Sequence, residues 1–391
     1  MTAILERLFG RLPIGWLQLT YNKTRLAAAI AGVAFANILV FMQLGFLGSL
    51  IDTLRFPYDQ FNAEILVVAS DMNTLSDGSP LPRQRMYQAL SVEGVASATP
   101  VYHGKLDWKQ PDGTIRTLDV FGIDPAARAF RNPQINAQLA NIRQSYHVLL
   151  DRKVRNVSKV LFTGIASGQT YTFEALGKQL TVTGLFELGG GFSADGYMVM
   201  SDQTFLKLYP QRSAGAPNYI FIAVSPGESP QTVAQRLQQV LPDYDSSVRT
   251  RQQAVAKDQA FQTTQKPVGL VFGFGIVIGI LVGVIIVYQV LSTDVADHIK
   301  EYATFKAIGY RQGFFLSVIF EEALILAVLG FIPGVLISLG LYAIVAQAAQ
   351  LPLAMSFSRA VMVLFGTIVM CALSGAIATR RLNRANPADL F

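Results

Sequence analysis

The chain has 391 residues, of which 51% are apolar and only 15% charged, with a net charge of +6. That balance is too apolar for an ordinary soluble protein and points to membrane spans joined to a soluble part. The single cysteine, Cys371, excludes an intrachain disulfide framework, and no basic patch interleaved with aromatics is present for nucleic acid.

Residues 1–24 come first. Ile4, Leu5, Leu8, Phe9 and Leu12 share one helical face, and Trp16, Leu17, Thr20 and Tyr21 continue it beyond Pro13. This predicts an amphipathic helix in the cytoplasmic headgroup region, with an ordinary helix packed on a bundle as the alternative. Leu26–Ile51 carries no charge and is too long for the apolar core of a cleaved leader, so residues 25–51 are read as a first span that stays in place. Its Gly32, Ala34, Ala36, Gly45 and Gly48 suit close helix approach. Asn37 and Gln43 either bond across a helix pair or face neighbouring helices with no special role.

Residues 52–266 read as an α+β domain. Strands are predicted at 63–70, 101–109, 114–123, 146–150, 169–173, 179–188, 197–200 and 219–224, and helices at 82–90, 202–209 and 230–241. Residues 124–145 read as irregular, Gly189–Gly191 as a flexible loop, and 246–266 as a helix running straight into the next span, with Pro267 at the joint. The domain is divided into a part nearer the membrane, 52–125 with 215–266, and a β-rich insertion, 126–214.

A second span follows at 267–293, a short charged stretch at 294–311, a third span at 312–346, a turn at 347–358 holding Pro352, a fourth span at 359–380 and a tail at 381–391. Lys and Arg cluster before the first span, within 294–311 and in the tail, which places both termini and the 294–311 stretch in the cytoplasm and residues 52–266 outside.

Reaction chemistry is not legible. There is no G-x-x-x-x-G-K-[ST] loop, no G-x-S-x-G elbow, and His103, His147 and His298 are scattered outside any metal pattern. No catalytic, cofactor or metal residue is assigned. Glu321 and Glu322 are the only acids in the third span. One reading puts both at the interface or in a cytoplasmic extension of the helix, and the other has one of them relay movement from the 294–311 stretch.

TFKAIGY at 304–310, Phe320-Glu321-Glu322, Gly330, Gly334 and the NPADL ending at 386–390 resemble the MacB/FtsX superfamily of ABC permeases. Residues 15–46, VLLDR at 148–152 and TGLFELGGGFSADGYMVMSD at 183–202 are similar to its DevC-type members, the permeases of heterocyst-glycolipid-type exporters. The tail departs from the family pattern in having Asn386 where an acid is usual. The resemblance implies a four-helix membrane protein with a large α+β extracytoplasmic domain between spans 1 and 2. It also implies a homodimer in the bacterial inner membrane, bound to a separate ABC ATPase that holds the ATP. Outside, a membrane-fusion adaptor leads to an outer-membrane duct.

In that setting residues 294–311 are a coupling helix. Ile299, Lys300, Thr304, Phe305, Lys306, Ala307, Ile308, Gly309 and Tyr310 are the expected ATPase contacts, with Phe305 and Ile308 sharing a face for an apolar cleft and Lys300 and Lys306 pairing at its rim. The expected activity is export by mechanotransmission. Alternatives are a FtsX-like regulator of a cell-wall hydrolase and LolC-like lipoprotein extraction.

Overall fold

A computed structural model describes residues 14–110, 112–299, 301, 304 and 308–384. Residues 1–13 of the amphipathic helix expected over 1–24, the coupling residues Lys300, Phe305, Lys306 and Ala307, and the NPADL ending lie outside the described residues. Helices α1 (Ile14–Tyr21) and α2 (Lys23–Gln60) open the described chain. Two compact units follow from the contacts, Met1–Gly48 with Val268–Ala349 and Leu353–Phe391, and Ser49–Pro267 with Gln350–Pro352.

The second unit is built on β1 (Ile65–Ala69), α3 (Gln84–Leu90), β2 (Val95–Lys109), β3 (Ile115–Ile123), α4 (Pro133–Gln138), β4 (His147–Asp151), α5 (Lys159–Ala166), β5 (Tyr171–Ala175), β6 (Lys178–Phe186), β7 (Gly196–Ser201), α6 (Asp202–Leu208), β8 (Tyr219–Val224), α7 (Pro230–Val240), β9 (Ser246–Thr250) and α8 (Arg251–Thr264). The strands form one sheet in the order β5-β6-β4-β7-β3-β2-β8-β1-β9. The long strand β2 carries the join. Its first half, to Val101, pairs with β8, and its second half, Tyr102–Lys109, pairs with β3. Through β3 and β7 the pairing crosses the 125/126 division drawn from the sequence.

Burial follows strand alternation. Ile65 and Val67 of β1 pack with Ile220 and Ile222 under α3 and α7, through Met86, Val233 and Leu237. Leu66 and Val68 turn to the opposite face and meet Tyr58 from the end of α2, Phe61 just beyond it and Ala254 from α8. Both faces of β1 are therefore covered, which is why ILVVA shows no polar alternation. Beyond the join, Trp108, Phe173, Leu180 and Met198 belong to a third core, where the Trp108 and Phe173 rings lie 5.4 Å apart and bring β5 back towards β2.

Several local expectations are corrected. Residues 246–250 are a strand on the sheet edge, pairing with β1 along its whole length, rather than the start of a helix. The helix expected to run without a break into the second span stops at Thr264, capped at its start by Thr250 and Gln253, and a new helix begins at Pro267, where a missing N–H costs nothing. The stretch 124–145 holds α4 and a 3₁₀ turn at Leu139–Arg143, with Asn132 capping α4 through Gln134 N. Helix α5 lay in a stretch to which no element had been assigned.

Nor is Gly189–Gly191 a loose loop. The buried Asp151 carboxylate accepts from Gly189 N at 2.7 Å, Leu188 N at 3.0 Å and Lys153 N at 2.9 Å. A Cβ on Gly191 would come within 2.8 Å of Thr53 Cβ on α2, so only glycine allows that approach.

The first unit holds α1, the start of α2, α9 (Pro267–Asp297), α10 (Gln312–Ala349) and α11 (Phe357–Arg384). Helices α2, α9, α10 and α11 are each long and apolar enough to cross a membrane. The chain is thus a four-span protein with a large α/β domain after its first helix. Two glycine rows hold α2 between its neighbours. On α9, Gly275, Gly279 and Gly283 face Gln43, Val40 and Ala36, and on α10, Gly330 and Gly334 face Val33, Ala34 and Asn37. Lipid offers no hydrophobic drive between helices, so this close packing is what associates them. Of the two readings of Asn37, the cross-helix bond holds. Its Oδ1 accepts from Thr367 Oγ1 of α11 at 2.6 Å.

Candidate coupling site

A cluster of charged residues lies where the start of α2 meets the end of α9. Arg25 stands in the first turn of α2, and its Nη1 lies 2.5 Å from Asp297 Oδ2 and 3.6 Å from Asp294 Oδ1, both in the last turn of α9. Its Nη2 also donates to the Val290 carbonyl at 3.1 Å. His298 Nδ1 sits 3.1 Å from the Asp294 carbonyl and 3.8 Å from Asp294 Oδ2. Two acids in a helix's last turn oppose its dipole, so their place there depends on the guanidinium they face.

Glu321 and Glu322 come to the same place from α10. Both are buried, at 1% and 0% exposure, and neither is at an exposed interface or in a solvated extension. Glu322 faces the Asp294 carboxyl, and no N–H donor among the described residues reaches either of its oxygens. Helix α1 closes over them. Trp16 N lies 3.4 Å from Glu321 Oε1, and a Cβ on Gly15 would stand 2.9 Å from Glu322 Cγ and 3.0 Å from the Val318 carbonyl. A pocket of about 360 Å³ opens beside the cluster, lined by Gln18, Asn22, Arg25, Asp294, Asp297 and His298.

The node ties the start of α2 to the end of α9 through the Arg25 ion pairs, while α10 meets it through Glu322, which faces Asp294, and α1 through Trp16 N, 3.4 Å from Glu321 Oε1. An uncompensated charge at a buried site is costly, so separating Arg25 from its acids would be unfavourable. Among the described residues no group of His, Cys, Asp and Glu is arranged to hold a metal ion.

Of the expected ATPase contacts, Ile299 is half-buried, and Thr304, Ile308, Gly309 and Tyr310 are exposed. Ile308, at 70% exposure, and Tyr310 are apolar side chains in a turn where Gly309 takes φ +101. They lie between Asp297 of α9 and Glu321 of α10 in the chain.

Sequence reasoning missed Arg25, Asp294, Asp297 and His298 as partners. Arg25 counted only towards orientation, and His298 as one of three scattered histidines. The available signal was the i, i+3 spacing of Asp294 and Asp297 at the unfavourable end of a helix, next to a span whose first charge is an arginine.

Comparison with known proteins adds two family matches. The MacB-like periplasmic core domain matches residues 26–240, and the FtsX-like permease C-terminal region matches residues 273–387. No curated protein matches the chain. Among solved structures, the extracellular domain of the noncanonic ABC-type transporter YknZ from Gram-positive bacteria is 11% identical, covering 48% of this chain and 99% of its own, with a TM-score of 0.33. The periplasmic region of MacB from Actinobacillus actinomycetemcomitans is 13% identical, covering 52% of this chain and 95% of its own, with a TM-score of 0.32. A domain of a permease protein from Porphyromonas gingivalis is 12% identical, covering 49% and 89%, with a TM-score of 0.30.

Proposed function

The chain belongs to the MacB/FtsX-like family of ABC permeases, with a MacB-like periplasmic core domain and an FtsX-like C-terminal region, and from that premise we propose that it is the permease subunit of a DevC-like exporter. A separate ATPase binds and hydrolyses ATP. The turn at Ile308–Tyr310 and the neighbouring Lys300, Phe305, Lys306 and Ala307 dock on it from the cytoplasm. Closure of the ATPase displaces that segment, the Arg25–Asp294–Glu322 node carries the displacement into the spans, and the outer domain changes conformation. Two copies work as a dimer in the inner membrane, and a membrane-fusion adaptor receives the cargo outside and passes it to an outer-membrane duct. Both termini lie in the cytoplasm. The cargo need not pass between the spans.

The observation that carries this reading is the position of the node. The charged residues of α9 and α10 flank the stretch that exposes Ile308 and Tyr310, with Asp297 eleven positions before Ile308 and Glu321 eleven positions after Tyr310. In a lipid-embedded bundle such groups are costly and mark function.

Capture of the partner ABC ATPase tests the docking surface. Phe305→Asp should abolish its retention. Gly309→Pro should weaken it, because φ +101 is closed to proline while no neighbouring atom lies within 4 Å of the missing Cβ. Full retention by both variants would refute the docking assignment. Recovery of a periplasmic hydrolase in place of an adaptor would move the chain to the FtsX-like alternative.

A further inference from the structure

Two carboxyl groups of the helical bundle make a contact that requires a proton. Asp294 of α9 and Glu322 of α10 are buried, at 3% and 0% exposure, and a side-chain hydrogen bond joins them. An ionised carboxylate only accepts, so a bond between two carboxyls needs one of them to carry an O–H. Other donors are missing from the oxygens concerned. Both Glu322 oxygens and Asp294 Oδ2 are shielded from solvent and receive no N–H from the described residues. His298 Nδ1 stands 3.8 Å from Asp294 Oδ2, beyond hydrogen-bond reach.

The surroundings decide which acid is neutral. The Arg25 guanidinium lies 3.6 Å from Asp294 Oδ1 and 2.5 Å from Asp297 Oδ2, so one cation already faces two carboxylates. Glu322 has no cation among the described residues bonded to it, and another acid, Glu321, precedes it in the chain. Helix α1 closes over it, since a Cβ on Gly15 would stand 2.9 Å from Glu322 Cγ. A third ionised carboxylate there would be cut off from water with no cation of its own, which is the setting in which a buried acid keeps its proton. A metal ion is the other way to join two carboxylates, but the described residues offer no group arranged to hold one.

We propose that Glu322 is a neutral carboxylic acid in the folded protein and donates its proton to Asp294 Oδ2, positioning the end of α9 against α10. An O–H donated to a carboxylate is about twice as strong as a bond between neutral groups. It gives α10 an attraction to α9 at a place where two like charges would push them apart. The assignment goes beyond the exporter reading and holds whatever the protein exports and whichever ATPase drives it.

The test is infrared spectroscopy of the full chain in nanodiscs at neutral pH, with glutamate labelled by carbon-13. A protonated carboxylic acid absorbs at higher wavenumber than a carboxylate, and the label assigns the band to glutamate rather than aspartate. The labelled wild type should show a glutamic-acid band, and Glu322→Gln should diminish it. Glutamine keeps an N–H to donate to Asp294, so Glu322→Gln should melt like the wild type in detergent, while Glu322→Ala should melt several degrees lower. No glutamic-acid band in the wild type overturns the proposal, and so does an undiminished band in Glu322→Gln, since Glu322 would then be ionised. Melting of Glu322→Gln as low as Glu322→Ala also overturns it, because Asp294 would not be accepting from position 322.

Discussion

Two buried carboxylates, Asp151 in the outer domain and Glu322 in the helical bundle, are both fully shielded from solvent and are treated in opposite ways. Asp151 accepts three backbone N–H bonds and pins the Gly189 loop. Burial still holds its carboxyl above the usual carboxylate range against the pull of those donors. Glu322 has no such donor among the described residues and faces another acid. A buried acid satisfied by backbone serves one conformation. A buried acid left facing its own kind between helix ends has energy that depends on where the helices stand. The contrast separates an acid pinned by backbone donors from one that has none among the described residues, and each of the following changes strains one of the two regions.

The largest effect is expected for Gly279→Leu. Its Cβ would stand 3.0 Å from Val40 Cγ2, and the rest of the side chain has nowhere to go between α9 and α2. Overpacking costs about 1–3 kcal/mol in a soluble core, and here the glycine contact is the main attraction between helices, so the bundle should lose cooperative melting in detergent. A wild-type melt would deny that this row joins the helices.

Next is Asp258 on α8, whose Oδ2 accepts from Tyr58 Oη at 2.9 Å and Leu75 N at 3.3 Å. Burial pushes its carboxyl up to about 6. The folded state therefore holds a proton more tightly than the unfolded chain. Stability should rise as pH falls from 7 through 6 towards 4, by on the order of 3 kcal/mol at most. Asp258→Asn should remove most of that slope and raise the melting temperature at pH 7. A slope of the opposite sign, with stability lost on acidification over this window, would contradict the assignment.

A smaller loss is expected for Asp151→Asn. One amide oxygen replaces two carboxylate oxygens, so at least one of the three N–H groups goes unpaired, at about 1–3 kcal/mol. Hydrogen exchange should quicken at Leu188 and Gly189 while the β1–β9 ladder keeps its protection. Unchanged exchange at both residues would mean the loop is held by its glycine contacts alone.

The spans, the β2–β3 hairpin and most strands were legible because each rests on a local pattern. Charge-free length gives a helix across lipid, and Pro-Asp-Gly between alternating strands gives a turn. Strand β9 was not legible. SSVRT is polar and short, and only pairing with β1 makes it a strand. Glu321 and Glu322 were visible as acids in an apolar helix, but Arg25 and Asp294, which neighbour Glu322, lie up to 297 residues away in sequence and meet it only through tertiary packing. The glycine row on α9 could have been read from its spacing of four, while its face could not.

The central claim is that the Arg25 node relays nucleotide-driven motion to the outer domain. Hydrogen exchange of α8 tests it most directly, measured on the full chain in complex with its ATPase, with and without a non-hydrolysable ATP analogue, for the wild type and Arg25→Ala. The account predicts a nucleotide-dependent change in α8 for the wild type that disappears in Arg25→Ala while the ATPase stays bound. The same nucleotide-dependent change in both proteins would contradict it.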